Sequence, residues 1–371
     1  MGRVKQFLER WLRISRLDFP VPSHGKQLLY SVGGITFVGF LILFLSGIWL
    51  TQFFNPAPQR AYESVQLLMR EAWGGSFVRS LHYWTAQAVI ALLTVHLLRV
   101  FATGAYKSPR IATWLVGVLL FFITVMGFYF TGTVLKWDQE GFEALEHYNE
   151  VINLFGPLQG ILGEDLSKNV GMNVRFYAAH INTLPLVFGL LVASHFYLVH
   201  VFNLAPLSKG TTSKLAELPE SELTGKFSEH FRSIALYSLV YYGAVAMIAL
   251  LFPAPLGPEN SGGETGVKPP WPYLWLYGLE NLIGAQAIFY GALVLFILMV
   301  LVPWLDRGED RNPKTRKGML IGGTLVFLIL VGFSLYAGFG PKVVHFHSHG
   351  KHEHEHEHEH EDEHEQTEHS H

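Results

Sequence analysis

Four histidines carry the first chemical signal in this 371-residue chain. His82 and His96 lie 14 positions apart in one apolar stretch, and His180 and His195 lie 15 apart in another. Fourteen residues make about 3.9 helical turns and fifteen about 4.2, so on each helix both imidazoles keep to one face. Ionisable residues inside membrane helices are costly and mark function. If the two helices run parallel, His82 is level with His180. His96 is then level with His195, about 21 Å deeper at 1.5 Å per residue. Two facing imidazoles at one depth can grip a flat metal macrocycle by both axial positions. Two such levels point to two bis-histidine haems stacked across a membrane, each carrying electrons and closed to oxygen. Isolated histidines that only hydrogen-bond inside a membrane have no need of matched levels. A di-metal centre would need ligands at i, i+3 or i, i+4, far closer than these.

Elements with the same repeat must face them. Gly33 and Gly47 are 14 apart in the first apolar stretch, and Gly117 and Gly132 are 15 apart in the third. A macrocycle edge needs bare backbone to approach closely, which glycine permits. Small residues also serve helix–helix packing. Arg79 and Arg99, three residues outside His82 and His96, are placed to pair with haem propionates or to snorkel to the interface. In the fourth stretch Pro185 and Gly189 lie between the two histidines, and a local bulge there would absorb the extra residue.

Composition agrees with a membrane setting. Half of the residues are hydrophobic and 15% are charged, against about 25% charged in an ordinary soluble domain. Mean hydropathy is +0.25. The absence of Cys excludes disulfides, thiolate chemistry, Cys-ligated iron–sulfur clusters and haem attached through C-x-x-C-H. Stretches of about 20 apolar residues predict spanning helices at 29–50, 77–103, 112–134, 176–203, 233–252, 283–305 and 318–338. The expected fold is all-α and polytopic: a four-helix haem-binding bundle over 29–210, then three C-terminal transmembrane helices over 211–344. Inverted repeats and helices broken at mid-membrane, the signs of a transporter, are not evident. Nothing in the composition points to a nucleic-acid partner.

Lys and Arg concentrate in 1–28 and in the second–third, fourth–fifth and sixth–seventh connections. The N-terminus is therefore expected in the cytoplasm, and the C-terminal tail outside the cytoplasmic (inner) membrane. Phe7, Leu8, Trp11, Leu12 and Ile14 alternate with cations at helical spacing, so 1–28 reads as an amphipathic surface segment. In the long external segment 253–282, the aromatic end is expected to pack and the middle, around Ser261–Thr265, to be flexible. His345–His371 alternates His with Glu and cannot fold alone. It is either a solubilising tail or a binder of Zn, Ni or Cu ions.

The stretches "VRSLHYWTAQAVIALLTVHLLRVFATGAYKSPRIATW", "TGTVLKWDQEGFEAL" and "RFYAAHINTLPLVFGLLVASHFYLVH" resemble cytochrome b of the quinol–cytochrome c reductases, most of all the b6 branch. There the fourth helix carries the longer histidine spacing. The three C-terminal spans resemble that branch's separate subunit IV, here fused. The resemblance covers about residues 10–340. It implies two non-covalent b-type haems, an outer one on His82 and His180 and an inner one on His96 and His195. It also implies quinol oxidation near the outer haem, quinone reduction near the inner one, and proton translocation. The implied partners are a Rieske-type iron–sulfur protein, a c-type cytochrome and a second copy in a homodimer.

The outer pocket would be built from Gly132–Trp137, the following helix up to about Gly156–Leu158, and the loop before the sixth span. Here the sequence departs from the family. Pro-Glu-Trp-Tyr appears as Pro269-Pro270-Trp271-Pro272, without the carboxylate that takes the quinol proton. Glu280, nine residues after Trp271, is a candidate replacement, as are Glu140, Glu143 and His147. At the inner site His200 matches a quinone-contacting histidine of several members, and His24, Glu229, His230 and Arg232 lie nearby in the pattern. A second task for the same haems would be a membrane anchor that links a dehydrogenase or multihaem cytochrome to the quinone pool without bifurcation.

Overall fold

The computed structural model describes residues 20–154, 156, 159–163, 166–167, 169–205, 225–263 and 265–343. The amphipathic N-terminal segment (apart from residues 20–28), Leu158 of the expected outer pocket and the His/Glu tail lie outside the described residues.

Among the described residues, seven helices are long and apolar enough to cross a membrane. In chain order they are α1 (Leu28–Leu50), α3 (Gly75–Ala102), α4 (Ile111–Leu135), α6 (Met172–Phe202), α7 (Phe227–Leu251), α9 (Gln286–Leu305) and α10 (Lys317–Phe339). Shorter helices between them include α2 (Pro58–Arg70), α5 (Gln139–Asn153) and α8 (Leu274–Ile283), and a single turn at Gln159–Leu162. Their outward faces carry exposed Leu, Ile and Phe, such as Leu45, Leu186 and Leu239, as lipid requires.

Helix α1 packs along α3, and α4 along α6; α7 lies on α1 and α3, α9 on α4, and α8 bridges α9 and α10. The core is a set of seams. One holds Ile35, Ala88, Tyr242 and Val245, and another Tyr106, Trp114, Val118, Met299 and Val302. A two-residue antiparallel ribbon, β1 (Pro20–Val21) with β2 (Gly225–Lys226), ties the start of α1 to the start of α7. At the same end Asp306 accepts from Lys107 Nζ at 2.9 Å, from Arg316 Nε at 2.6 Å and from the Tyr106 hydroxyl. Burial opposes the charge on Asp306, but these donors more than offset it and hold its carboxyl below the ordinary range. The cluster locks the α9–α10 turn onto the α3–α4 turn.

Several expected boundaries move. Helix α6 begins four residues earlier than its apolar run and α7 six earlier, because their first turns are amphipathic and stay helical outside the apolar zone. The sixth span starts at Gln286, after Gly284 turns the chain with φ 88°. In the segment expected to be flexible, both Ser261 and Thr265 are hydrogen-bonded to α5. Ser261 N donates to Gln139 Oε1 at 3.0 Å, and Thr265 N and Val267 N donate to the Glu143 carboxylate at 2.8 and 2.9 Å. Asp138 caps α5 through Gly141 N and also accepts from Gly257 N at 2.8 Å. Two carboxylates of α5 thus substitute for the secondary structure this loop lacks, a long-range effect that local composition does not reveal.

Candidate haem and quinol sites

The two 15-residue repeats contain what their length demands. Helix α6 has a π-helical stretch at Ala179–Thr183, beginning one residue before His180. Helix α4 has one at Ile123–Tyr129, between Gly117 and Gly132. A π turn takes up an extra residue without advancing the face. Helices α1 and α3, with 14-residue repeats, are continuous. All four helices therefore present their repeated residues at the same two levels. The bulge in α6 sits just ahead of Pro185, starting one residue before His180 and running on between the two histidines.

At the outer level the rings of His82 and His180 have centroids 6.4 Å apart. One ion held by two imidazoles at about 2 Å each puts the ring centres roughly 6 Å apart. Two hydroxyls fix the tautomers. Ser46 donates to Ile42 O at 2.7 Å, so toward His82 Nδ1, 2.9 Å away, it accepts. Thr131 donates to Gly127 O at 2.8 Å and faces His180 Nδ1 at 2.8 Å in the same way. Each Nδ1 then carries the proton, which leaves a lone pair on Nε2, the state a metal ligand needs. Neither hydroxyl was foreseen; the signal is that each directly precedes an outer-level glycine.

At the inner level stand His96 on α3 and His195 on α6. Their Nδ1 atoms are buried without a hydrogen-bond partner among the described residues. The Thr113 carbonyl approaches His195 without hydrogen-bond alignment. The residues that precede Gly33 and Gly117 are Val32 and Val116, where the outer level has Ser and Thr.

Each glycine faces one histidine. A Cβ on Gly33 would lie 2.9 Å from His96 Cε1, on Gly47 3.5 Å from His82 Cε1, on Gly117 3.6 Å from His195 Cε1, and on Gly132 3.3 Å from His180 Cε1. Four imidazoles edged by bare backbone, with Nε2 free at the outer pair, fit a flat bis-ligated macrocycle at each level.

The arginines divide. Arg99 reaches over the Tyr30 ring at 5.1 Å, and its Nε is buried with no hydrogen bond among the described residues, a donor left for an anion beside His96. Arg79 spends its guanidinium on Ala254 O and Pro255 O at 2.7 and 2.8 Å, holding the loop after α7. His200 lies in the last turn of α6, on an exposed face. His24 contacts Ala205 O at 3.0 Å, His230 Nδ1 contacts Gly25 O at 2.7 Å, and Glu229 pairs with Lys26 at 2.5 Å. These three pin the start of α1 to its neighbours.

On the outer side Trp271 Nε1 donates to Gln87 Oε1 at 2.7 Å, and Gln87 Nε2 donates to the Tyr129 hydroxyl at 2.8 Å. Glu280 is 2% exposed, and its Oε1 lies 3.2 Å from His147 Nε2. Glu140 pairs with Lys136, although burial raises its carboxyl above the ordinary range.

The sequence profile described as Cytochrome b/b6/petB matches residues 16–203. "Cytochrome b6" of Heliobacterium modesticaldum is 36% identical over 189 residues, 50% of this chain and 88% of that protein. The "Menaquinol:cytochrome c reductase cytochrome b subunit" of Geobacillus thermodenitrificans is 39% identical over 194 residues, 49% of this chain and 86% of that protein. A chain of the solved "Hyperthermophilic respiratory Complex III" shares the fold with a TM-score of 0.76 at 19% identity, covering 92% of this chain and 90% of its own. With half of its length matched by the family profile and nearly nine-tenths of a cytochrome b6 aligned at 36% identity, this chain belongs to the cytochrome b/b6 family.

Proposed function

We propose that His82 with His180, and His96 with His195, hold two b-type haems one above the other, and that electrons from an outer quinol cross the membrane between them to an inner quinone. The chain is the cytochrome b of a quinol–cytochrome c reductase-type oxidoreductase, a multi-pass membrane subunit that works in electron transfer. The observation that carries the haem reading is the outer pair, with 6.4 Å between ring centres and both Nδ1 protons committed to hydroxyls, and the same glycine–histidine facing at His96 and His195 supports a second haem. When bound, each haem supplies a one-electron carrier with no open axial position.

The chain's own residues do the rest. Gly33, Gly47, Gly117 and Gly132 keep the cradles open, and Arg99 offers its unspent Nε to a propionate. Arg79, fixed on the loop after α7, keeps that loop against the outer pair. Trp271, oriented by Gln87, lines the quinol pocket together with α5 and α8. His200 contacts the inner quinone. The partners in this reading are a Rieske-type iron–sulfur protein, a c-type cytochrome and a second copy of the chain. Quinol oxidation outside and quinone reduction inside couple the reaction to proton translocation across the inner membrane, with the N-terminus cytoplasmic and the tail outside. The alternative of a dehydrogenase anchor is not favoured, since the relatives belong to quinol–cytochrome c reductases.

Haem content and a reduced-minus-oxidised spectrum of the purified complex test this. Two b haems per chain, with quinol–cytochrome c activity abolished by an outer-site inhibitor, are expected. One haem per chain, or no b-type band, overturns it.

A further inference from the structure

We infer that Glu280 and His147 together form the proton acceptor of the outer quinol site and pass the proton along α5 to the outer surface. This rests on the outer-site reading above.

The four candidates separate by what each already does. Glu143 is buried and accepts from Gln139 Nε2, from Thr265 through N and Oγ1, and from Val267 N, so its charge holds the loop. Glu140 is held by Lys136. Glu280 differs: it is buried on α8, and its Oε1 has no hydrogen bond among the described residues. A buried carboxylate oxygen without a donor is costly, and folding gains nothing visible from it.

His147 supplies the missing half. Its Nδ1 lies 2.7 Å from the Glu143 backbone carbonyl, which only accepts, so Nδ1 carries a hydrogen. In a neutral ring Nε2 is then a lone pair, facing Glu280 Oε1 at 3.2 Å. Without a proton, two acceptors face each other in a buried site; with one proton, either atom can hold it. The contact is close but not aligned as a hydrogen bond, and such contacts commonly tighten once substrate binds. On the helices that carry or flank the pair, α5 has Glu143, Glu146 and Glu150, α8 Tyr277, α9 Tyr290 and α10 Tyr336, and on the loop ahead of α8 Lys268 Nζ is committed to Gly338 O and Gly340 O. The only Lys or Arg on these four helices is Lys317, at the far end of α10. No Lys or Arg on them is near enough to neutralise Glu280 in place of a proton. One turn beyond His147, a surface cleft is lined by Glu150, Asn153, Leu154, Ala285 and Gln286, and gives the proton an exit.

Quinol oxidation releases two electrons and two protons. In this step one quinol O–H bond breaks and an O–H bond forms on Glu280. The proton then moves to His147 Nε2 and on to water in the cleft. The two electrons would leave one each to the haem that His82 and His180 would hold and to the partner one-electron acceptor, and the second proton would leave with the electron that the partner takes.

The test uses the intact complex, with quinol and cytochrome c as substrates. Glu280→Gln should lower kcat by about a hundredfold with the haem spectrum unchanged, as for loss of a general base, and Glu280→Asp should restore part of it. His147→Gln should also lower kcat, by less than Glu280→Gln, with the haem spectrum unchanged. A redox-difference infrared spectrum of the wild type should show a carboxylic acid band on quinol oxidation that Glu280→Gln abolishes. A Glu280→Gln complex within threefold of wild type overturns the proposal, as does absence of that band from the wild type if the variant fails to assemble. Loss of inhibitor-sensitive quinol oxidation in the wild type itself would instead overturn the outer-site reading.

Discussion

The two histidine pairs sit in one repeated scaffold, yet their surroundings differ. At the outer level Ser46 and Thr131 take the Nδ1 protons of His82 and His180. At the inner level Val32 and Val116 occupy the matching positions, and the Nδ1 atoms of His96 and His195 are left without hydrogen bonds among the described residues. The cradles also differ in depth: Gly33 is tighter on His96 than Gly47 is on His82. Helical repeat places a pair of histidines, whereas the single residue before each glycine sets whether their Nδ1 meets a hydroxyl. A fixed tautomer and a stronger donor nitrogen follow from the second partner of a ligating histidine. The outer pair has hydroxyl partners, whereas among the described residues His96 has none and His195 has only the Thr113 carbonyl nearby.

The largest expected effect tests whether the levels are separable. His96→Ala should remove the inner haem and leave the outer, halving the haem content while the outer pair keeps its spectrum. Loss of both haems, or of neither, in the pyridine haemochrome assay would break the pairing of His82 with His180 and of His96 with His195.

A smaller effect tests the cradles. Gly33→Ala places a methyl 2.9 Å from His96 Cε1, closer than real contacts allow, whereas Gly117→Ala places one at an ordinary 3.6 Å from His195 Cε1. Overpacking of this kind costs about 1–3 kcal/mol. Gly33→Ala should therefore weaken retention of the inner haem during purification, and Gly117→Ala should not. Equal retention in the two variants would mean that helix α1 gives way freely at this point, and would remove the distinction in depth.

Much of this site was legible because it repeats. Four histidines and four glycines at spacings of 14 and 15 fix two levels and four helices without any contact being seen. The one-residue difference between the spacings even required the bulges that appear at Ala179–Thr183 and Ile123–Tyr129. Position within the helix was less legible: Pro185 marks the bulge but lies just beyond it. The proton acceptor could not be chosen from sequence, because Glu140, Glu143 and Glu280 are alike as residues and differ only in partners. Those partners come from Lys136, from the loop that reaches back to α5, and from His147. The same loop looked flexible by composition for the same reason. Ser46 and Thr131 were overlooked because a hydroxyl in a membrane helix usually bonds its own backbone, and here it does that and accepts from histidine as well.

The smallest effect bears most directly on the contrast between levels. In both Ser46 and Thr131 the hydroxyl proton is committed to the helix backbone, so the oxygen can only accept from the imidazole. Accepting from Nδ1–H pushes electron density toward Nε2 and favours the more positive, oxidised metal. Ser46→Ala should therefore raise the outer midpoint potential. A single hydrogen bond is worth about 1 kcal/mol, which is roughly 40 mV in a one-electron couple. Val32→Ser should do the reverse at the inner level, because a hydroxyl beside Gly33 would meet a buried Nδ1 that has no partner, and the inner potential should fall by a similar amount. Redox titration followed in the visible spectrum reads both. If Ser46→Ala moves the outer potential and Val32→Ser leaves the inner one in place, the inner pair has a proton acceptor of its own. If neither moves, second-partner hydrogen bonding does not distinguish the two levels, and burial and the nearby arginines must set them apart.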